Sequence, residues 1–183
     1  MIYLVTKNSG KLLAARSVFE RHNIAIEPVN RGYPEIQANN SLEIARFTAL
    51  QAAHELGAPA IREDHSLFIN ALGIPGPYTN YFEQKVPAQI LLKILSNFSD
   101  RSGYFEVATV YAEPSEAIRE YTFQVPIVFA IEERGNLQGG WNRIIMLAGE
   151  TRTLAEYKEQ ERVHIWDKNY LAIAEYLSKH KDE

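Results

Sequence analysis

The chain has 183 residues, the size of one ordinary domain, and it can bury a full core without disulfides. It contains no cysteine, which excludes disulfide scaffolds, iron–sulfur clusters, thiolate zinc sites and a cysteine nucleophile. Apolar residues make up 46% of the chain and the formal net charge is −4, which argues against disorder and against binding nucleic acid over the whole surface.

The first elements in chain order are typical of an α/β domain. Residues 2–5 form a short apolar run that predicts a buried strand, and apolar residues at helical spacing then predict a helix over about 9–22. Residues 24–29 predict a second strand, parallel to the first. The start has no basic segment typical of a signal peptide, and no stretch approaches the ~18 apolar residues of a membrane span. We therefore expect a cytoplasmic protein.

The middle of the chain continues the alternation of helices and strands. After a polar loop at 30–40, Ser41 is predicted to cap a helix that ends at Gly57. Residues 60–64 predict a third strand that ends in two acids. The other predicted elements are a rigid turn at 73–77, a helix from Pro87 to Phe98, strands at 104–112 and 121–132, and a helix at 169–179. The two late strands are expected to form an antiparallel lobe, within one two-lobed domain over 1–183.

The loop after the first strand carries groups suited to a phosphate chain. Backbone N–H groups and the dipole at a helix N-terminus favour an anion. Thr6 and Asn8 add side-chain donors, and Lys7 and Lys11 add positive charge. The P-loop pattern is absent, so an ordinary capped turn with solvated lysines is the alternative interpretation of this loop.

Three acidic residues are candidates for a metal site. Glu63 and Asp64 end the third predicted strand, and Glu35 lies in the preceding loop. In an open α/β sheet the strand ends converge on one crevice, and Mg²⁺ prefers a few carboxylates together with water and phosphate oxygens. Solvated loop acids are the alternative.

The C-terminal third contains two further candidate segments. Trp141 follows paired glycines and could stack on a base, with Asn142 forming hydrogen bonds to its edge. A core tryptophan beside a turn is the alternative. The cations of the stretch 162–168 could face an anion, or they could form a solvated helix face.

In this order, the motifs resemble the inosine triphosphate pyrophosphatase family. Thr6, Asn8 and Lys11 match its motif S/T-x-N-x-x-K, which follows the first strand. Glu35 falls where that family places a metal-binding glutamate. The block 59–67 resembles the family's central segment, whose acidic pair binds metal and positions the attacking water.

The resemblance implies a mixed α/β fold with a central elongated mixed sheet, flanking helices and two lobes around a nucleotide cleft. It implies a homodimer that hydrolyses a nucleoside triphosphate to the monophosphate and pyrophosphate with Mg²⁺, without a nucleic acid or membrane partner. Glu35 and Asp64 would bind the metal, and Asp64 with Glu63 would orient or deprotonate the attacking water. The triphosphate would lie against the Thr6–Lys11 loop.

The departures from the family fall mainly on the residues that would hold the base. The family's aromatic-Gly-aromatic-Asp-Pro loop corresponds to Gly139–Arg143, and its Ser-His-Arg corresponds to residues 166–168. Two family lysines fall on Thr48 and Asn80. The residues implied at the base are therefore Trp141, Asn142, Asp167 and Lys168, together with Arg162, which falls on a family lysine that helps at the base or the phosphate.

These departures predict an altered base specificity. Replacing an aspartate by Asn142 adds hydrogen-bond donors where the family has only acceptors. One alternative is a non-catalytic nucleotide-binding descendant that serves as a sensor or an interaction module. Another is a phosphohydrolase or biosynthetic enzyme that acts on a different phosphorylated or modified nucleoside.

Overall fold

The computed structural model describes residues 1–34, 36–136 and 140–180. Within these ranges strands and helices alternate. The strands are β1 (Ile2–Val5), β2 (Ile26–Val29), β3 (Ala60–Ile69), β4 (Ile74–Gly76), β5 (Ser102–Ala112), β6 (Ile118–Phe129) and β7 (Ile145–Leu147). The α-helices are α1 (Ser9–Phe19), α2 (Ser41–Leu56), α3 (Thr79–Lys85), α4 (Ala88–Leu95), α5 (Glu159–Trp166) and α6 (Lys168–Lys179).

The strands form one mixed sheet in the order β2-β1-β3-β5-β6-β7, with β4 paired to β3. β1 is parallel to both β2 and β3, whereas the β3–β4 and β6–β7 pairs are antiparallel. The predicted mixed α/β class and the parallel pairing of the first two strands are confirmed. β5 and β6 are neighbours in the same sheet as β1, between β3 and β7.

The chain divides into two compact units. The first unit consists of residues 1–64, 107–123 and 163–183, and the second consists of 65–106 and 124–162. Strands β3, β5 and β6 therefore each have residues in both units. No helix in the described ranges is long and apolar enough to cross a membrane.

In the first unit, strand residues alternate between two apolar clusters. Ile61 of β3 and Tyr111 of β5 lie in a cluster with residues of α1 and α6. Ala60 and Val110, one position earlier on the same strands, lie in a cluster with residues of α2. Successive strand residues point to opposite faces, so over residues 60–64 the odd-numbered residues of β3 face α1 and α6 and the even-numbered residues face α2.

In the second unit, α4 shows which of its apolar residues form the core. Leu91 and Leu95 are buried, with exposures of 2% and 0%, because residues four apart share one helix face. Ile90 and Ile94 share the neighbouring face and are 45% and 39% exposed. The face of α4 that carries Leu91 and Leu95 therefore packs inward, and the face that carries Ile90 and Ile94 does not.

Several predicted boundaries were wrong, among them those of β6, which runs over Ile118–Phe129 rather than 121–132. The N-cap of α2 is Asn40, whose Oδ1 accepts a hydrogen bond from the Glu43 backbone N–H at 2.9 Å. Ser41 is the first helical residue, and its hydroxyl donates a hydrogen bond to Asp64 Oδ2 instead of capping the helix. β3 continues to Ile69 because the apolar pattern resumes after Asp64. Strand β4 lies where a rigid turn was predicted, and helices α3 and α5 and strand β7 were not predicted.

Candidate active site

The register of β1 and β3 brings the first loop and the acidic pair to one edge of the sheet. Val5, the last residue of β1, is paired with Arg62 of β3. Because these strands are parallel, Glu63 and Asp64 extend β3 beyond the end of β1, beside the loop that starts at Thr6. The first unit therefore places these candidate residues together.

The loop after β1 forms a capped helix start. Asn8 Oδ1 accepts hydrogen bonds from the backbone N–H groups of Gly10 at 2.8 Å and Lys11 at 3.2 Å. Thr6 Oγ1 accepts one from the Asn8 N–H at 3.1 Å. A hydroxyl that accepts can still donate, and the Asn8 amide nitrogen also remains a donor. The capped turn therefore keeps side-chain donors for an anion.

Lys11 lies beside the acidic pair. Its Nζ donates to the backbone carbonyl of Glu63 at 2.9 Å and lies 3.9 Å from Glu63 Oε1. The Lys11 side chain is 18% exposed, so most of it is covered. Its ammonium group is therefore held at the same edge of the sheet as the capped loop.

The two neighbouring acids have different environments. Glu63 faces α1 and α6, and the residue is only 2% exposed. Asp64 faces α2, is half-buried, and accepts a hydrogen bond at Oδ2 from the Ser41 hydroxyl at 2.8 Å. Asp64 is therefore the member of the pair that a water molecule or a substrate can reach.

The carboxylate oxygens fit a magnesium ion that is shared with a substrate. The described ranges contain no group of three or more His, Asp or Glu side chains able to hold a metal. Glu35, the other predicted ligand, lies outside the described residues. Mg²⁺ typically uses only one or two carboxylates and completes its shell with water and phosphate oxygens. With Oδ2 held by Ser41, Asp64 can offer Oδ1 to such an ion.

In the second unit, Trp141 is buried rather than open to a ligand. The residue is 1% exposed, and its indole Nε1 donates to the Val86 carbonyl at 2.8 Å. Its backbone N–H donates to Glu83 Oε1 at 2.6 Å. These contacts favour the alternative of a core tryptophan beside a turn. Asn142 follows on the same turn and is half-buried, whereas Gly139 lies outside the described residues.

The remaining base candidates are divided between the two units. Arg162, in the second unit, is half-buried. Asp167 and Lys168, in the first unit, lie together at the start of α6. The Asp167 carboxylate lies 3.1 Å from His164 Nδ1, and Lys168 Nζ lies 5.3 Å from the centre of the Phe123 ring.

Sequence reasoning missed three polar residues around this site, namely Ser41, Thr109 and Asn169. All three are buried. Ser41 donates to Asp64, Thr109 donates to Glu63, and Asn169 donates to Thr109. The available signal was a polar side chain at a position where the helix or strand pattern predicts an apolar one.

Gly140→Ala is expected to lower the free energy of unfolding by about 2–4 kcal/mol, measured by urea denaturation. Gly140 has φ of 64°, and an added Cβ would collide with Glu83 Oε1. Moving Glu83 would break its hydrogen bond to the Trp141 N–H. Gly149→Ala is the control: φ is 84° but nothing lies within 4 Å, so only the backbone strain of about 1 kcal/mol is expected. Equal losses in both variants would contradict the collision.

Comparisons with known proteins agree with one another. A sequence profile of the Ham1 family matches residues 2–174. A dITP/XTP pyrophosphatase of Methanopyrus kandleri is 34% identical over 165 residues, covering 90% of this chain and 88% of that protein. A dITP/XTP pyrophosphatase of Saccharolobus solfataricus is 31% identical over 185 residues, covering 100% and 96%. A HAM1 protein from Coxiella burnetii superposes with a TM-score of 0.79 at 27% identity, covering 97% of this chain and 96% of that one.

Proposed function

The chain belongs to the Ham1 family, and we propose that it is a Mg²⁺-dependent nucleoside triphosphate pyrophosphatase with a base preference different from that of its relatives. The resemblance indicated by the motifs is thus confirmed, and the relatives' activity as dITP/XTP pyrophosphatases supports hydrolysis of a nucleoside triphosphate. The observation that carries the proposal is the shared sheet edge, where Asp64 lies beside the capped loop and the Lys11 ammonium group.

In the reaction we propose, the triphosphate lies against the N-terminus of α1. Lys11 and the side-chain donors of Thr6 and Asn8 offset its negative charge. Asp64 orients a water molecule and accepts its proton while the water oxygen attacks the α-phosphorus. The bond from the α-phosphorus to the bridging oxygen breaks, and the products are a nucleoside monophosphate and pyrophosphate.

Asp64 and Glu35 are the residues that we propose to hold Mg²⁺. When bound, the ion neutralises charge that develops on the phosphate oxygens. The burial of Glu63 supports a role for this residue away from the attacking water. Asp64 is thus proposed as the catalytic carboxylate, and Glu63 is proposed to act through its contacts with Lys11.

For the base, we propose contacts from Asn142, Arg162, Asp167 and Lys168, with Trp141 as the buried support of the Asn142 turn. An asparagine amide offers donors and an acceptor, whereas an aspartate offers acceptors only. A purine whose donors bind well to an aspartate therefore finds fewer acceptors here, and a purine edge that offers an acceptor is favoured.

A nucleotide-binding protein with negligible turnover is the second candidate. Thr48, which falls on a family lysine, is only 1% exposed, so this position supplies no cation to a phosphate. Asn80, on the other lysine position, is also uncharged.

We also propose a homodimer. Large apolar side chains in the second unit support a surface for a second copy, because Ile74, Tyr78 and Tyr81 are 44%, 44% and 62% exposed.

The proposed function predicts that the purified protein releases pyrophosphate from one or two members of a panel of canonical, deaminated and modified nucleoside triphosphates. Excess EDTA is expected to abolish the release, and added Mg²⁺ to restore it. Release from no member, with nucleotide binding still detected by thermal shift, would favour the non-catalytic alternative. Release that persists in EDTA would contradict the metal requirement.

A further inference from the structure

Hydrogen bonds in the first unit connect α6 to the Glu63 carboxylate, which forms an ion pair with Lys11. Asn169 Nδ2 donates to Thr109 Oγ1 at 3.0 Å, and Thr109 Oγ1 donates to Glu63 Oε2 at 3.3 Å. Lys11 Nζ lies 3.9 Å from Oε1 of the same carboxylate, and it also donates to the Glu63 backbone carbonyl at 2.9 Å. Asn169, Thr109 and Glu63 are 3%, 0% and 2% exposed, so little water competes for these bonds.

The direction of the chain is set by the acceptors around Asn169. Its Nδ2 also donates to the backbone carbonyls of Val107 at 3.0 Å and Tyr121 at 3.1 Å. Carbonyl oxygens only accept, so the nitrogen of the amide must lie on this side. The two hydrogens of the amide nitrogen are shared among these three acceptors. This nitrogen cannot accept a hydrogen from the Thr109 hydroxyl, which therefore donates to the Glu63 carboxylate.

A buried carboxylate is costly unless it is paired and hydrogen-bonded. The Glu63 side chain is 1% exposed, and Lys11 Nζ lies 3.9 Å from its Oε1. Burial, together with the neighbouring Glu63 charge, raises the pKa of Tyr170 well above 10, so this phenol stays neutral. Glu63 therefore faces the Thr109 hydroxyl, a neutral phenol and one ammonium group, all positioned on its own side of the sheet.

We propose that Thr109, supported by Asn169, is a positioning residue that holds Lys11 in place through Glu63. The ammonium group is thereby fixed at the edge where the triphosphate lies, and Glu63 does not contact the reacting atoms. This inference rests on the proposed function, because it gives Lys11 a phosphate to bind. Asn169 directly follows Asp167 and Lys168, so the same hydrogen bonds also fix the start of α6.

Thr109→Val tests the proposal because it keeps the shape of the side chain and removes only the hydroxyl. With the triphosphate that the wild type hydrolyses fastest, KM is expected to rise about 5–10-fold, while kcat changes less than about twofold. Binding of inorganic tripolyphosphate, measured by calorimetry, is expected to weaken by a similar factor. Thr109→Ser restores the hydroxyl and is expected to restore KM.

Thr48→Val is the matched control. Thr48 is another buried threonine of the first unit, but its hydroxyl has no hydrogen-bond partner in the described part of the chain. Removing that hydroxyl is expected to leave KM and tripolyphosphate affinity unchanged. A purely structural role of Thr109 would change stability and the active fraction without changing KM.

An unchanged KM and an unchanged tripolyphosphate affinity in Thr109→Val would overturn the proposal. If this variant does not fold, Glu63→Gln takes its place, because it keeps the size and removes the charge that faces Lys11. The same rise in KM is expected there, and no rise would overturn the proposal. A wild type that binds tripolyphosphate without hydrolysing any nucleotide contradicts only the pyrophosphatase function. A wild type that neither binds nor hydrolyses contradicts both.

Discussion

Asp64→Asn is expected to lower kcat for pyrophosphate release by about 10³-fold and to leave the fold intact. The amide cannot accept the proton of the attacking water, and it is a weaker ligand for a cation. The hydrogen bond from the Ser41 hydroxyl, now 2.8 Å from Oδ2, can be made equally to the amide oxygen. The free energy of unfolding is therefore expected to change by less than about 1 kcal/mol.

The measurement is the steady-state rate of pyrophosphate release at saturating substrate and Mg²⁺. Asp100→Asn is the matched control, because Asp100 also accepts a hydrogen bond from a serine hydroxyl, that of Ser102 at 2.6 Å, and lies outside the candidate site. Its turnover is expected to stay within about twofold of the wild type. If Asp64→Asn keeps more than about a tenth of the wild-type kcat, Asp64 is not the general base.

Much of the first half of the fold could be predicted because its signals are local. The run Ile2–Val5, the cap chemistry of the next loop and the spacing of α1 lie within a few residues of one another. A strand, a helix and a second strand in this order favour parallel pairing, and convergence of the loops then follows. The motif Thr6–Lys11 and the acidic pair are therefore recognisable before any contact is known.

The different environments of Glu63 and Asp64 also had a local signal. Neighbouring residues of a strand face opposite sides, so two adjacent acids cannot both point at one water molecule without a break in the strand. Treating them as the end of a strand hid this alternation, because β3 continues to Ile69. The continuation shows that the pair divides into a buried residue and an accessible one.

No local pattern in the sequence predicts the hydrogen bonds that position Lys11 through Glu63. Asn169 lies 60 residues from Thr109, and Thr109 lies 46 residues from Glu63. Which helix reaches which strand is decided by packing of the apolar faces, and no spacing in the sequence records it. Similarly, burial of Trp141 depends on the acceptors Glu83 and Val86, which are more than 50 residues away.

Lys11→Ala is expected to lower kcat/KM by about 10–100-fold, mainly through KM. A charge-assisted hydrogen bond to phosphate is lost, and the loop then neutralises less of the negative charge of the triphosphate. The free energy of unfolding is also expected to fall, by about 3–5 kcal/mol, because the buried Glu63 carboxylate loses its cationic partner. Initial rates over a range of substrate concentrations and urea denaturation measure the two effects.

Lys7→Ala tests whether triphosphate binding depends on where a positive charge lies in the loop or only on the net charge of the loop. Lys7 is exposed on the same loop, and its removal lowers the positive charge of the loop by the same amount as removal of Lys11. Exposed charges are screened by salt over about 10 Å, so the expected rise in KM is less than about threefold. Equal rises in KM for the two variants would show that the net charge of the loop binds the triphosphate. A larger rise for Lys11→Ala would instead assign that binding to an ammonium group whose place is set by Glu63.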